Sequence, residues 1–239
     1  IISVQRRDKP MYELALAPGV AVASLEALRG KRIAYSPGQA QGALVLRVLA
    51  KAGLARDDVQ LVQLISTEFK DALASHQVDV APLGSTNLRR YLSEYAAEGA
   101  SSIAHGVADG YSFFYVRAPA LGDPAKAAAL REYARVRTRS LLWQHLHPDE
   151  WVDGYYVKDQ GLSPEEARFV VESLGQPEYP RDWTEAIART QQTIDLLAEA
   201  TGQTRFDAAR LFDRRFEAIG ADAADEVLGR ASQLEGSAP

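Results

Sequence analysis

From Leu28 to about Tyr115, short apolar runs alternate with stretches of helical periodicity, the pattern of βαβ units around a mainly parallel sheet. Residues 31–35 (KRIAY), 59–65 (VQLVQLI), 78–82 (VDVAP) and 111–116 (YSFFYV) are the expected strands. After the first, Val45, Val48, Leu49 and Ala52 recur at i, i+3, i+4 and i+7, which predicts a helix ended by Gly53 as its left-handed cap. After the second, Thr67 is the expected cap of a helix with Phe69, Ala72, Leu73 and His76 inward. After the third, the turn at 83–86 leads into a helix carrying Leu88, Tyr91, Leu92 and Tyr95.

Beyond Pro119 the periodicity turns helical and stays so to about Arg230, broken at His147-Pro148, Ser163-Pro164, 175–183 and Gly202. Asp123-Pro124 and Ser163-Pro164-Glu165-Glu166 each join a capping residue to a proline at the first helical position, and the second adds acids that suit the helix dipole. The final Gly220-Ala-Asp stretch and 236–239 read as loose ends. Helices on this scale need a sheet to cover. Strand-like residues 1–4 and a crossing at 11–17 therefore suggest a chain that enters partway through one lobe, builds a second, and returns to finish the first. An opening directly on strand residues, without an initiator Met, suggests a native start further upstream.

Composition narrows the function. The 239 residues are 46% hydrophobic and 25% charged, enough for one or two sizeable cores. A net charge of −5 gives no support to nucleic-acid binding, and the densest basic run, Arg131 to Arg139, reads as a solvated helix face. There is no cysteine, hence no thiolate nucleophile, disulfide or thiolate metal site. No stretch reaches the roughly 18 apolar residues that span a bilayer. Of the four histidines only His145 and His147 are close in sequence, at a spacing that sends them to different helix sides, so no metal site is expected. A GxSxG elbow and an obvious pair of catalytic acids are both lacking. Trp143, Trp151, Tyr155 and Tyr156 recur at helical spacing and read as core.

Two strand-to-helix junctions are the candidate sites. Tyr35-Ser-Pro-Gly-Gln-Ala-Gln-Gly42 would present unpaired backbone N–H groups at the positive end of a helix, a place that favours an oxyanion. It matches neither GxGxxG nor GxxxxGK[ST], which removes dinucleotides and triphosphates. Pro82-Leu-Gly-Ser-Thr-Asn87 has the same form, with Ser85 equally readable as a helix cap. In an open parallel sheet both loops would line one crevice beyond the strand ends.

The run LEALRGKRIAYSPGQAQGALVLRVLAKAGLARDDVQLVQL, its continuation ALASHQVDVAPLGS, and the segments HPDEWVDGYYVKDQGLSPEEARFVV and TEAIARTQQTIDLLAE resemble the solute-binding proteins of ABC importers for aliphatic sulfonates, taurine and nitrate, over nearly all of 14–218. The resemblance implies an α/β fold of the type II periplasmic-binding-protein class. Its two lobes hold mainly parallel sheets flanked by helices, and the first lobe lacks the βαβα stretch with which relatives begin. It divides the chain into 1–14 with 117–239 as the first lobe and 15–116 as the second, with hinge crossings at 11–18 and 115–119. It implies a non-catalytic monomer, periplasmic or anchored at the cell surface after export behind a signal peptide or lipid anchor. Such a protein needs no cofactor or metal, binds a small organic anion, an aliphatic or aromatic sulfonate, and passes it to a membrane permease. By the same resemblance Ser36, Gly38, Gln39, Ala40, Gln41 and Gly42 fall on the anion-contacting loop, and Ser85, Thr86, Tyr111 and Ser112 on the cleft walls. Relatives carry a Trp and an acid where this chain has LGSTN, which implies a roomier wall. The alternative is an enzyme on the same scaffold, desulfinase-like or precursor-synthase-like, disfavoured by the lack of cysteine.

Overall fold

A computed structural model describes residues 1–107 and 109–235. The expected loose end at 236–239 lies outside the described residues, and the one expected at Gly220-Ala-Asp is instead the first turn of a helix, Ile219–Glu235, with Ala221 buried. In chain order the strands are β1 (Ser3–Arg7), β2 (Tyr12–Leu16), β3 (Arg32–Tyr35), β4 (Gln60–Gln63), β5 (Val80–Gly84), β6 (Ser101–Ile103), β7 (Tyr111–Phe114) and β8 (Pro177–Glu178). The α-helices are α1 (Ala40–Lys51), α2 (Phe69–Ala74), α3 (Ser85–Tyr95), α4 (Ala118–Leu121), α5 (Pro124–Leu146), α6 (Pro148–Trp151), α7 (Pro164–Leu174), α8 (Thr184–Thr201) and α9 (Ile219–Glu235).

The strands form two sheets, ordered β4-β3-β5-β2-β6 and β7-β1-β8. In the five-stranded sheet β3 pairs parallel with β4 and β5, and β2 pairs antiparallel with β5 and β6, so only β2 runs against the rest. Both faces of this sheet are covered. Leu14, Leu16, Ile33, Tyr35 and Val80 pack on one side with Val45, Val48 and Leu49 of α1. Ala15, Ala34, Ala81 and Leu83 pack on the other with Phe69 and Leu73 of α2 and Leu88 and Tyr91 of α3. Successive strand residues point to opposite faces, so covering both makes these strands read as continuous apolar runs.

Both expected helix starts are built as read. Asp123 accepts from the N–H groups of Ala125 and Lys126 (3.0 and 3.1 Å), and Ser163 and Glu166 cap each other reciprocally. Three local readings change. Thr67 lies within a short 3-10 turn, Ser66–Glu68, in which Glu68 accepts from Ile65 N–H (3.0 Å). His76 is exposed with φ of 56°, because α2 ends at Ala74 and the chain must turn back toward β5. Residues 111–114 form a strand, but it pairs antiparallel with β1 in the three-stranded sheet.

That last pairing also moves the crossings. β2 lies inside the five-stranded sheet and β7 inside the three-stranded one, so the chain passes between the sheets at 8–11 and 104–110. These are earlier than the 11–18 and 115–119 expected. The three-stranded sheet packs Ile2 and Val4 against Trp183, Phe212 and Phe216 on one face. Its other face, carrying Ser3, Gln5 and Arg7, lies toward α5.

Candidate functional site

The two crossings are clasped to each other. Asp109 accepts from the backbone N–H groups of Met11 (3.0 Å) and Tyr12 (3.3 Å). His105 Nδ1 accepts from Val107 N–H (3.0 Å), so the ring proton sits on Nε2, which donates to the Tyr12 carbonyl (2.8 Å). Burial raises the Asp109 carboxyl above the ordinary aspartate range, against the two N–H bonds and His105, which lower it. Gly110 has no room for a side chain: a Cβ there would stand 2.6 Å from the Arg7 carbonyl oxygen.

Around this clasp the halves meet on two sides. On one, α1 faces α8: Arg47 donates to Thr193 and, at 3.4 Å, to the Arg189 carbonyl, and Arg56 donates to the Ala200 carbonyl. On the other, α3 faces α7, with the Arg89 guanidinium paired to Glu165 and lying over the Phe169 ring at 5.5 Å. Three cavities share Met11 and Tyr12, and two of them also hold an arginine. The first, about 220 Å³, is walled by Ala40, Ala43 and Leu44, by Tyr111 and Phe113, and by Arg47, Arg189, Thr190 and Thr193. The second, about 320 Å³, is walled by Arg7, Gly84, Ser85, Thr86 and Asn87, with Tyr156 and Ser173 opposite.

Both cavities hold a guanidinium that burial pushes below the ordinary arginine range, Arg47 in the first and Arg7 in the second. Arginine does not shed its proton to escape that cost, so each site favours an anion. In the first cavity Arg189 adds a like charge and Asp109 partly offsets it. In the second, α3 begins at Ser85 without a side-chain cap, which leaves its first N–H groups to the cavity. Gly84, not Ser85, stands at the N-cap position, and Ser85 is the first residue of the helix. Tyr156 reaches this wall from a π-helical turn, Val152–Val157.

Of the residues expected at the site, Ala40 and Tyr111 line the first cavity and Ser85 and Thr86 the second. Ser36, Gly38, Gln39, Gln41 and Gly42 line neither. Ser36 is buried and donates to Gln39 Oε1 (2.6 Å), an internal brace of the loop, and Gly38 turns the chain with φ of 75°. A Cβ on Gly42 would run into the Ser36 carbonyl oxygen, so the loop closes on α1 only with glycine there. Ser112 faces away from Tyr111, toward α5, and stands across β1 from Gln5. Arg7, Arg47, Arg189 and Tyr156 were missed as site residues. Arginines on strand ends and helix faces look solvated in sequence, and only the meeting of the halves buries them. Trp143 is also not core: it is exposed and stacks on His147 at 4.8 Å. No group of three or more His, Asp or Glu residues suited to a metal occurs among the described residues.

The model of the family described as NMT1/THI5 like matches residues 4–150. The chain belongs to that family. Its fold is that of the periplasmic binding proteins. It is similar to the periplasmic aliphatic sulphonate binding protein SsuA from Escherichia coli, with a TM-score of 0.71, 18% identity, and 89% of this chain and 68% of that chain covered. The alkanesulfonate-binding protein SsuA from Xanthomonas axonopodis pv. citri, bound to MOPS, matches with a TM-score of 0.71 at 20% identity over 88% of this chain and 72% of that chain. A mutant of DszB in complex with biphenyl-2-sulfinic acid shares the fold at a TM-score of 0.54 and 14% identity, over 93% of this chain and 78% of that chain. No curated protein matches the sequence. Among the described residues no helix is long and apolar enough to cross a membrane.

Proposed function

We propose that the protein is the extracytoplasmic solute-binding component of an ABC importer. In this reading it closes as a monomer on a small organic anion of the sulfonate class and delivers it to a membrane permease. The observation that carries this reading is the pair of desolvated guanidiniums, Arg7 and Arg47, in cavities on either side of Met11 and Tyr12, where two α/β halves meet. Charge-assisted hydrogen bonds from such groups are strong where water is excluded. Family membership and the fold shared with SsuA support the same reading.

The lobes in this proposal are the halves expected from the sequence, 1–14 with 117–239 and 15–116, with their bounds drawn back to the crossings at 8–11 and 104–110, because β2 pairs with β5 and β6 and β7 pairs with β1. Ala40, Tyr111, Ser85 and Thr86 contact the ligand, while Ser36, Gly38, Gln39, Gln41 and Gly42 shape the loop that carries Ala40. Ser112 serves from the sheet behind. The protein works without cofactor or metal, on the outer side of the membrane.

The second reading is the enzyme on the same scaffold, desulfinase-like or precursor-synthase-like, in keeping with the likeness to DszB in complex with biphenyl-2-sulfinic acid. Among these 239 residues no cysteine is present to supply the thiolate that a covalent route of that kind would use. Titration calorimetry with taurine, short alkanesulfonates, aromatic sulfonates, sulfate and nitrate tests the first reading. We expect a sulfonate to bind in the micromolar range or tighter, about −8 kcal/mol. Silence across the sulfonates would refute it, and disappearance of a bound sulfonate or sulfinate over time would favour the enzyme.

A further inference from the structure

The first cavity has two unlike ends. Its α1 wall is the stripe Ala40, Ala43, Leu44 and Arg47, spaced i, i+3, i+4 and i+7 and therefore on one face of the helix. At 1.5 Å of rise per residue the stripe runs about 10 Å, from the exposed Ala40 at the mouth to Arg47.

Cations gather at the Arg47 end. Arg47 donates to the Thr193 hydroxyl and, at 3.4 Å, to the Arg189 carbonyl, which lays its guanidinium along α8. Arg189 lines the same cavity, and Glu185, 4.0 Å from it, also faces Arg6 at 3.6 Å. The acid of this cavity, Asp109, is committed to the crossing through the N–H groups of Met11 and Tyr12. The hydroxyls of Thr190 and Thr193 donate within α8, to the carbonyls of Ala186 (2.8 Å) and Arg189 (2.9 Å). A polar head at this end therefore meets cationic donors, and the head that suits them is an anion.

The wall from the other half of the molecule is aromatic. Tyr111 and Phe113 stand two residues apart on β7 and so share a face, with their ring planes within 2° of parallel and their centroids 6.0 Å apart. Phe113 is held in place by a perpendicular contact with Phe212, centroids 5.8 Å apart. On α1, Ala40 and Ala43 contribute one methyl group each and leave open the width that a longer side chain would close. The cavity is about 220 Å³, and roughly 150 Å³ accommodates benzene, so there is room for one six-membered ring with a head group.

Resting on the reading of this cleft as an anion-binding site, we propose that the first cavity takes an arenesulfonate of a single ring. Its head lies on Arg47 and Arg189, and its ring between the methyl groups of Ala40 and Ala43 and the wall of Tyr111 and Phe113. The α3 wall of the second cavity, by contrast, is polar at Ser85, Thr86 and Asn87. Aromatic rings gain from offset or edge contact with other rings beyond the area they bury, which favours an aromatic body over an aliphatic one of the same size.

The test is titration calorimetry of the full chain with methanesulfonate, cyclohexanesulfonate and benzenesulfonate, the weakest of them read by displacement of the tightest. Benzenesulfonate is expected to bind roughly tenfold to a hundredfold tighter than methanesulfonate, from burial of the ring, and about threefold to tenfold tighter than cyclohexanesulfonate, from ring contact. Ala43→Leu keeps a good helix former and fills the ring site, so it is expected to bring benzenesulfonate down to about the affinity of methanesulfonate. A cooperative melting transition in that variant shows that it is folded. Phe113→Leu keeps an apolar side chain and is expected to bring benzenesulfonate and cyclohexanesulfonate to within about twofold of each other. Equal affinity of benzenesulfonate and methanesulfonate in the unaltered protein overturns the inference and leaves the anion cleft standing. So does a folded Ala43→Leu protein with its preference intact, or cyclohexanesulfonate bound as tightly as benzenesulfonate. Failure of every sulfonate to bind would overturn the cleft reading itself.

Discussion

Each half of the molecule ends a strand in an arginine, and the two are treated differently. Arg32, at the start of β3, donates to Asp79 through Nε (3.2 Å) and Nη2 (2.6 Å) and through Nη1 to the His76 carbonyl (2.7 Å). Arg7, at the end of β1, has one carbonyl for its side chain. The first arrangement is complete within the chain, and it ties β3 to the turn before β5. The second rests on one carbonyl, and under the proposed function an anion would complete it. The same contrast runs through the two sheets: the five-stranded one buries apolar residues on both faces, whereas the three-stranded one buries Ser3 and Gln5 on the face that leads to the cavity. Polar burial without partners is a poor way to hold a sheet together and a good way to prepare a binding site.

The sharpest way to break this comparison is to remove bulk from the apolar half. Phe69, fully buried against Leu73, Leu88 and Tyr91, has no polar substitute for its packing. Phe69→Ala is expected to cost about 3–5 kcal/mol, read from the urea midpoint at constant slope. In the polar half the opposite holds. Gln5→Leu removes an unpartnered donor and is expected to be neutral or to stabilise by up to about 2 kcal/mol without ligand. A loss of similar size in this variant would mean that the amide does structural work, and the contrast between the sheets would fall.

The smallest effects are in pH dependence, and their signs differ. Hydrogen bonds from Arg32 hold the Asp79 carboxyl below the ordinary aspartate range. Its contribution is present above that ordinary value and lost as pH falls through the lowered one, so Asp79→Asn should flatten the acid side of a melting-temperature profile. Burial holds Asp109 above its ordinary value. Its contribution is fully present below the ordinary value and lost as pH rises through the raised one. Asp109→Asn should therefore gain on the unaltered protein as pH rises from acid toward neutral, and a constant difference across that range would show that the clasp does not titrate.

The α/β class, the βαβ order from β3 to β5, the inward residues of α1 and α3, and the capped starts of α5 and α7 were all determined by the sequence itself. Their signals act over a few residues: apolar periodicity, a capping Asp or Ser, a proline that fits the first turn, a glycine that accepts positive φ. The junction at 82–87 was legible as a cavity wall for the same reason. Tertiary structure alone decided which sheet receives 111–114, where the crossings fall, and that Arg7, Gln5 and Ser112 share one face of the three-stranded sheet. Strand partnership and the burial of charge depend on segments a hundred or more residues apart. A strand reading Ser-Val-Gln-Arg-Arg alternates just as one with a solvent-facing side does, until a helix from beyond residue 120 covers it.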